Sequence, residues 1–174
     1  MSVYNAEEYL HDSINSILNQ TFKNFEFLIM NDFSDDGSQK IIEKYSLLDK
    51  RIRSFNNNIN RGLTASLNEL IKKSNSMLIA RMDADDISHI NRLDIQYKFM
   101  LKNQNIGVLG CGANLIDKKG KYICNKYSPK NIKKVIKAMP YHNYITHPSV
   151  MMRSPIIQQF GPYNENYKTA QDWE

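Results

Sequence analysis

Three carboxylates lie within four positions near the middle of the chain, at Asp83, Asp85 and Asp86, directly after a mostly apolar run over residues 77–82. A buried strand of a parallel sheet has such a near-continuous apolar sequence, and ligands of open α/β sheets bind beyond the carboxyl ends of the strands. Carboxylates this close repel one another, and Mg²⁺ or Mn²⁺ relieves the repulsion by binding one or two of them together with substrate phosphates and water. The pattern therefore predicts either a divalent-metal site at a strand end or a solvated acidic turn.

Three side chains outside this cluster have types that suit the recognition of a base or a phosphate. Asp32 follows a predicted strand and could accept a hydrogen bond from a base N–H, or it could form an Asx turn. Tyr4 could stack on a planar base, or it could fill core or surface space. Arg61 lies in a polar loop and could meet a phosphate or only solvent. Each residue keeps both interpretations at this point.

Two residues nearer the end of the chain could take part in acid–base chemistry. His147, which precedes Pro148, is either a catalytic or metal-shell imidazole or a structural residue beside a strand. Asp172 has Trp173 as its neighbour, and partial burial there would raise the pKa of the Asp172 carboxyl toward the range of a general base.

Strand-like and helix-like segments alternate over the first two thirds of the chain. Strands are predicted at Phe25–Met30, Ile52–Phe55 and residues 77–80, with amphipathic helices before, between and after them. This alternation favours βαβ units and a parallel sheet, whereas Met1–Asn5 is expected to enter without a proper strand. Beyond Asp117 the alternation weakens. The elements predicted after the third strand are a helix around residues 93–101, the strands Gly107–Ile116, Tyr122–Lys126 and Ser149–Met152, and the helices Ile132–Lys137 and Pro155–Phe160.

The composition is that of one globular domain, because 41% of the 174 residues are hydrophobic and 24% are charged. No apolar run approaches the roughly 20 residues that span a bilayer, and no signal peptide is recognised at the N-terminus. Cys111 and Cys124 lie outside any Cys-x-x-Cys pattern, which predicts free thiols in a reducing compartment. We therefore expect a cytoplasmic protein without a structural zinc site.

Positive charge is concentrated between Lys118 and Lys137, where eight lysines stand in a chain of net charge +5. This stretch is either a solvated face or a patch that contacts an anionic membrane surface, which would place the protein peripherally at the inner face of a membrane. Nucleic acid is not an expected partner, because no recognition-helix, RNP or zinc-finger pattern occurs. The chain also lacks the Gly-x-Gly-x-x-Gly, Walker A and Gly-x-Ser-x-Gly signatures of other α/β enzymes.

Six segments, taken in order, resemble the motifs of the family-2 glycosyltransferases, which have the GT-A nucleotide-sugar transferase fold. Each segment is a weak match alone, but the ordered set covers essentially the whole chain. Asn31 and Phe33 stand where the family motif has Asp and Gly. The resemblance implies an α/β fold with a mostly parallel central sheet flanked by helices. The six segments are Val3–Leu10, Ser16–Phe22 with Phe25–Glu26, Asn31–Ser38, Ala80–Asp86 with Arg92–Leu93, Thr146–Arg153, and Ala170–Asp172.

The resemblance also implies how a nucleotide-diphosphate sugar would be bound. Tyr4 would stack on uracil or another base, and Asp32 would bond the N3–H of that base. Arg61 is a further candidate contact of the nucleotide sugar because of its polar loop, and not because it matches a family motif. Asp83 would reach the ribose or the metal shell. Asp85 would ligate the Mn²⁺ or Mg²⁺ that bridges the diphosphate.

On the acceptor side, the resemblance assigns Asp172 the deprotonation of the acceptor hydroxyl, which would attack the anomeric carbon with inversion. His147 is placed on this side as well. The chain is interpreted as a single glycosyltransferase domain, with a donor-binding part at 1–117 and the start of the acceptor part at 118–174. Because an apolar first strand and the later acceptor-side segments of the family are not found, an incomplete domain is expected.

The expected reaction is transfer from a UDP-sugar to a saccharide or lipid-linked acceptor, in the synthesis of a bacterial surface polysaccharide. Two alternatives stay open, a nucleotide-sugar-binding protein without catalysis and a metal-dependent nucleotidyltransferase. A nucleotidyltransferase would need a Gly-rich, basic phosphate loop near the N-terminus, and the sequence contains none.

Overall fold

The computed structural model describes residues 1–127, 129 and 131–167, which fold as an α/β protein around a three-stranded parallel sheet. The register places Val3, Asn31 and Asn56 side by side, so the three strands end at one edge of the sheet. The parallel βαβ arrangement predicted from the sequence is confirmed for this sheet. Its strands, in spatial order, are β1 (Ser2–Val3), β2 (Phe27–Asn31) and β3 (Ile52–Asn56).

Helix α1 covers this sheet because its apolar residues recur at helical spacing. Leu10, Ile14 and Ile17 are buried on one face of the helix, and they join Val3 and Ile29 in one core cluster. Helix α2 packs against β2 and β3, and helix α3 packs against β1 and β2. The first four helices are α1 (Glu7–Leu18), α2 (Ser38–Leu48), α3 (Leu63–Lys73) and α4 (Arg92–Lys102).

A second sheet joins parts of the chain that are far apart in sequence. Its central strand, β8 (Met151–Arg153), runs antiparallel to β4 (Leu78–Ala80) on one side and to β5 (Val108–Leu109) on the other. Leu78 and Ile79 are half-buried and Ala80 is exposed. The expectation that residues 77–80 form a buried strand of the parallel sheet is therefore wrong, because β4 is an edge strand that pairs with a segment from much later in the chain.

The N-terminal segment also differs from the expectation, since it does contribute a strand. The Met30 N–H donates to the Met1 carbonyl at 2.9 Å, and the Asp32 N–H donates to the Val3 carbonyl at 2.8 Å. A strand of two residues is too short for side-chain alternation to reveal it in the sequence. The parallel sheet thus has its strand before Tyr4.

The remaining elements lie between β5 and β8 in the chain, except for helix α6, which follows β8. They lie close to the segments predicted for them, except that Gly107–Ile116 is divided into β5 and β6. No helix among the described residues is long and apolar enough to cross a membrane. These elements are the hairpin β6 (Ala113–Ile116) and β7 (Tyr122–Lys126), helix α5 (Ile132–Ala138), a 3-10 helix (His147–Ser149) and helix α6 (Ser154–Phe160).

Candidate functional site

The carboxylate of Asp32 is buried, with 1% of the residue exposed, and it organises the loop that follows β3. Its Oδ1 accepts from Asn57 Nδ2 at 2.7 Å and from the Arg61 backbone N–H at 2.9 Å, and its Oδ2 accepts from the Gly62 N–H at 2.8 Å. Gly62 has a φ of 84°, a conformation that glycine adopts without strain. Among the described residues, three donors thus use three of about four acceptor positions of the carboxylate, and one position on Oδ2 has no donor.

Tyr4 and Asp32 lie at the same edge of the parallel sheet. Val3 on β1 pairs with Asn31 on β2, and Tyr4 and Asp32 are the residues that follow this pair. Tyr4 is 53% exposed. Hydrogen bonds join the loop after β1 to the loop after β2. The Asn5 N–H donates to Ser34 Oγ at 3.1 Å, and Asn5 Oδ1 accepts from the Asp35 N–H at 3.0 Å. The structure therefore brings the predicted base-stacking and base-reading residues to one edge, with Arg61 bonded to Asp32 through its backbone.

Two residues of these loops have a left-handed backbone that is unusual for their types. Asn5 has a φ of 48° and Phe33 a φ of 62°. For a bulky residue such as Phe33 this conformation costs of order 1 kcal/mol or more. The Phe33 side chain is also 56% exposed beside the buried Asp32. The sequence signal for this feature was the Phe that stands at a Gly position of the family motif, although the backbone conformation was not foreseen.

The three carboxylates Asp83, Asp85 and Asp86 (the acid cluster) are oriented by alternating burial along the segment that follows β4. Met82 and Ala84 are buried in the core cluster that α1 forms with the parallel sheet. Asp83 is half-buried and Asp85 is exposed. Burial of the two apolar residues therefore turns the carboxylates that alternate with them away from the core.

Arg81 pairs with the first carboxylate of the cluster, an interaction that the sequence analysis did not predict. Its guanidinium forms an ion pair with Asp83 Oδ1, and only 6% of the residue is exposed. Among the described residues, Nε and Nη1 of Arg81 have no hydrogen-bond partner. Asp83 thus has one oxygen committed to the protein, whereas Asp85 forms no ion pair with any described residue.

A second buried arginine, Arg92, ties the acid cluster to the second sheet. Its Nη2 donates to the Arg81 carbonyl at 2.7 Å, and its Nε donates to Gln96 Oε1 at 3.1 Å. Gln96 in turn donates to the Ser149 carbonyl at 2.8 Å. Burial lowers the pKa of Arg92, and the negative charge of Asp86 acts in the opposite direction. Arg92 was noted in the sequence only as part of a motif, and this positioning role was missed.

Helix α1 holds the acid cluster from the other side. Ser13 Oγ donates to the Asp83 carbonyl at 3.0 Å. Gln20, which is fully buried, donates to the His89 carbonyl at 2.8 Å and accepts from the Leu93 N–H at 3.0 Å. These contacts connect the cluster to the helix that covers the parallel sheet.

The third carboxylate of the cluster, Asp86, lies in an environment that disfavours its charge. Burial, followed by the charges of Asp83 and Asp85, raises the pKa of the Asp86 carboxyl, and the nearby Arg81 and Arg92 oppose this effect only in part. The cluster therefore carries the mutual repulsion that was expected from its sequence, and a cation would relieve it.

The donor set fits a divalent cation that also binds phosphate. Within the described residues, no group of three or more His, Cys, Asp or Glu side chains is arranged to hold a metal. Mg²⁺ and Mn²⁺ need only one or two carboxylates when substrate phosphates and water complete the shell. Asp85 is an exposed carboxylate oxygen donor of this kind, with Asp83 two residues away. The residues present are thus suited to a metal that binds together with a diphosphate.

His147 lies at the start of the 3-10 helix and is bonded to Tyr163. The distance between His147 Nε2 and Tyr163 Oη is 2.9 Å, and the two rings pack edge to face at 73° with centroids 5.3 Å apart. Asn68 on α3 bonds the Tyr163 backbone, through its Nδ2 at 2.8 Å and its Oδ1 at 3.0 Å. Asp172, the predicted base, lies outside the described residues.

A comparison with models of protein families identifies the family of the chain. The model of glycosyl transferase family 2 matches residues 1–160. The chain belongs to glycosyltransferase family 2. The resemblance found in the sequence motifs is thereby confirmed.

Two curated family members are more than a third identical to this chain over the aligned residues. An uncharacterised glycosyltransferase of Methanocaldococcus jannaschii is 37% identical over 178 residues, covering 100% of this chain and 61% of the relative. The O-antigen biosynthesis glycosyltransferase WbnJ of Escherichia coli is 35% identical over 158 residues, covering 90% of this chain and 61% of the relative. The chain thus spans about three fifths of the length of these two family members.

Solved structures confirm the GT-A fold class for this family-2 chain. Residues 1–349 of S. aureus TarS in complex with UDP superimpose with a TM-score of 0.78 at 20% identity, over 99% of this chain and 51% of that TarS chain. The mannosyltransferase PcManGT of Pyrobaculum calidifontis, in complex with GDP-Man and Mn²⁺, gives a TM-score of 0.74 at 14% identity, over 99% of this chain and 48% of that protein.

Proposed function

We propose that this chain binds a nucleotide-diphosphate sugar, with UDP as the preferred nucleotide, and transfers the sugar with inversion to a saccharide or lipid-linked acceptor. The main support for this proposal is the position of three candidate residues in the fold. Tyr4 and Asp32 follow the ends of β1 and β2, and the exposed Asp85 follows β4. Met82 and Ala84, which precede Asp85, pack in the same core cluster as Val3, so the candidate base-binding and phosphate-binding groups lie on segments that share one core. Ligands of open α/β folds bind at such strand ends.

The relatives support this choice of donor and suggest the biological setting. TarS has been crystallised with UDP and with UDP-GlcNAc, and PcManGT with GDP-Man and Mn²⁺. WbnJ is named for O-antigen biosynthesis. A cytoplasmic role in the synthesis of a surface polysaccharide fits these names.

On the donor side, Tyr4 stacks on the base, and Asp32 uses its remaining Oδ2 acceptor position for the base N3–H. Arg61, held near Asp32 by its backbone, extends an exposed guanidinium toward the nucleotide sugar. Asp85 holds Mn²⁺ or Mg²⁺, with Asp83 at the ribose or the metal shell. The metal, when bound, neutralises the charge that develops on the departing diphosphate.

On the acceptor side, a carboxylate base removes the proton of the attacking hydroxyl, and we assign this role to Asp172. One such base, placed opposite the leaving group, is sufficient for a single displacement with inversion. His147 is oriented by Tyr163 and lies in the segment assigned to the acceptor. A binding protein without catalysis would share the donor contacts but not the function of Asp172.

The test is calorimetric titration of UDP into the purified chain, with and without Mn²⁺. We expect Mn²⁺-dependent binding, and Asp85→Ala should weaken that binding at least tenfold, since even indirect supports of metal ligands contribute about 10- to 100-fold. The matched control is Asp12→Ala, an exposed carboxylate on α1, which should bind UDP as the parent does. UDP affinity in Asp85→Ala that equals the parent value would contradict the metal-ligand assignment.

Catalysis is tested separately by following UDP release from UDP-GlcNAc. Asp172→Asn should keep the UDP affinity of the parent and lose turnover. Loss of both UDP binding and turnover in this variant would contradict the assignment of Asp172 as the base. Binding without any turnover in the parent chain would favour the non-catalytic alternative.

A further inference from the structure

The charges of this chain are divided unevenly along its length. Residues 118–164 contain nine lysine and arginine side chains and no aspartate or glutamate, whereas residues 1–117 contain 13 cationic and 15 acidic side chains. The positive net charge of the protein thus arises from one continuous segment. A field of one sign over such a segment favours association with an anionic surface.

The turn of the hairpin β6–β7 presents three lysines on a fixed backbone. Asp117 Oδ1 accepts from the Lys119 and Lys121 N–H groups at 2.9 Å each, and the Gly120 N–H donates to the Asp117 carbonyl at 2.9 Å. The single acidic residue of the turn is therefore used to close it. The exposed side chains of Lys118, Lys119 and Lys121 extend from its tip.

The same hairpin exposes large apolar side chains next to these lysines. Tyr122 is 55% exposed and Ile123 is 60% exposed, at the position where the β6–β7 register is interrupted. Across the hairpin, Leu115 and Ile116 are also exposed. Exposure of such side chains to water is unfavourable, and their transfer to an apolar environment is favourable.

Helix α5, the next element in the chain, has the same combination of charged and apolar exposed side chains. Val135 is buried and anchors the helix, while Ile132 and Ile136, one turn apart, are 65% and 64% exposed. Lys133 and Lys137 are exposed beside them. Among the described residues, the lysines of the hairpin and of α5 form no ion pair with a carboxylate.

We propose that the hairpin β6–β7 with its turn and helix α5 (residues 113–127 and 131–138, the basic surface) docks on the anionic headgroups of a lipid bilayer. Lysines that flank exposed aliphatic and aromatic side chains are typical of proteins that bind at a membrane interface, where the cations meet headgroups and the apolar groups enter the acyl boundary. A single-stranded nucleic acid would instead require a groove lined by aromatic side chains on which bases stack. The proposal goes beyond sugar transfer and does not depend on it.

The experiment is co-sedimentation of the full 174-residue chain with vesicles of phosphatidylglycerol and phosphatidylcholine, compared with vesicles of phosphatidylcholine alone. We expect binding to the anionic vesicles only, weakened by salt. The variant K118E/K119E/K121E should bind about 100-fold more weakly, since each lysine near an anionic surface contributes about fivefold. The control K44E/K50E/K72E changes three exposed lysines elsewhere and should bind as the parent does.

A second variant tests the apolar contribution of the basic surface. Ile123→Ser combined with Ile136→Ser keeps every charge, and we expect it to lose the part of vesicle binding that survives high salt. A thermal melt of each variant establishes that it is folded. Equal binding to both vesicle types, an equal loss in the lysine control, or displacement of the anionic vesicles by a single-stranded RNA oligonucleotide would overturn the proposal.

Discussion

Asp32 illustrates how one side chain can serve both the fold and a ligand. Its buried carboxylate accepts three hydrogen bonds, two of them from the backbone of the loop that contains Arg61. The loop is thereby placed at the edge where Tyr4 is exposed. A residue proposed to read a base is therefore also the residue that assembles its surroundings.

Asp32→Asn should be strongly destabilising because the amide replaces one acceptor oxygen with a donor that faces another N–H group. We expect the free energy of unfolding to fall by about 2–4 kcal/mol, as for a buried charged acceptor that loses its partners. Urea denaturation measures this value. The control Asp35→Asn, at an exposed position of the neighbouring loop, should change it by no more than about 0.5 kcal/mol. Similar losses in both variants would contradict this role of Asp32.

Asp86→Asn is expected to stabilise the protein at neutral pH. Burial and the charges of Asp83 and Asp85 raise the pKa of Asp86, so the folded state binds more protons than the unfolded state between the two pKa values. The free energy of unfolding contributed by this group falls as pH rises through that range. Asp86→Asn should therefore raise Tm at pH 7, and the gain should disappear toward the pKa of an unfolded Asp, about 3.9.

Thermal unfolding of the parent and of Asp86→Asn at both pH values measures this difference. Asp12→Asn, which removes one carboxylate from an exposed position of α1, serves as the control. A Tm gain of Asp86→Asn that is equal at both pH values would mean that charge repulsion is not its cause.

The types of the candidate residues were recognisable from the sequence, but their interactions were not. Asp32, Asp83 and Asp85 follow predicted strands, and this position, together with the spacing of the carboxylates and the family motifs, identified them. The pairing of Arg81 with Asp83 could not be predicted, because an arginine inside an apolar run gives no indication of its partner. The left-handed backbone of Phe33 depends on the loop contacts around it and leaves no periodic pattern.

Among the elements, helix α1 connects the acid cluster to the parallel sheet. Gln20, just after the helix, donates to the Ser16 and His89 carbonyls at 2.9 and 2.8 Å and accepts from the Leu93 N–H at 3.0 Å. Its amide thus joins α1, the loop after the acid cluster and the first turn of α4. A fully buried polar side chain with several partners fixes its neighbours because each lost bond leaves an unsatisfied group.

Gln20→Leu keeps the approximate volume of the side chain and removes these hydrogen bonds. We expect a loss of about 2–4 kcal/mol in the free energy of unfolding and faster amide hydrogen exchange in residues 83–91. The control Gln158→Leu makes the same chemical change at an exposed position of α6 and should alter neither quantity. If Gln20→Leu is destabilised but its hydrogen exchange in residues 83–91 is unchanged, Gln20 stabilises the core and does not fix the segment that contains the acid cluster.

The elements that rest on local patterns were predicted well, and those that rest on distant partners were not. The spacing of Leu10, Ile14 and Ile17 is sufficient to predict α1. The pairing of β4 with β8 depends on a segment that lies far away in the sequence. The apolar run before the acid cluster indicated a strand but could not indicate which strand it would pair with.

At the scale of the whole molecule, the two main sheets are separate and adjoin a largely apolar cavity. The cavity has a volume of about 460 Å³, and Leu28 and Leu70 line it together with Ile79 and Met152 from the second sheet. Helix α1 links the parallel sheet to the segment that follows β4, through contacts such as the hydrogen bond from Ser13 Oγ to the Asp83 carbonyl. A ligand that contacts the loops of both sheets would add a connection that the unliganded chain lacks.

UDP with Mn²⁺ should therefore raise the stability of the chain and slow hydrogen exchange in the loops of both sheets. At a ligand concentration about 100 times Kd, the stabilisation is about 2.7 kcal/mol, which corresponds to a rise in Tm of roughly 5–10 °C for a chain of this size. Hydrogen exchange should slow in residues 32–37 and 57–62, which follow β2 and β3, and in residues 82–86, which follow β4.

Asp85→Ala is the informative variant for this measurement, because it removes the proposed metal ligand from the second sheet and leaves Tyr4 and Asp32 in place. We expect it to lose the Mn²⁺-dependent part of the Tm rise together with the protection of residues 82–86. Protection confined to residues 32–37 and 57–62 in the parent chain would show that the nucleotide contacts only the loops of the parallel sheet. The acid cluster would then lie outside the donor site, and its repulsion would need another explanation.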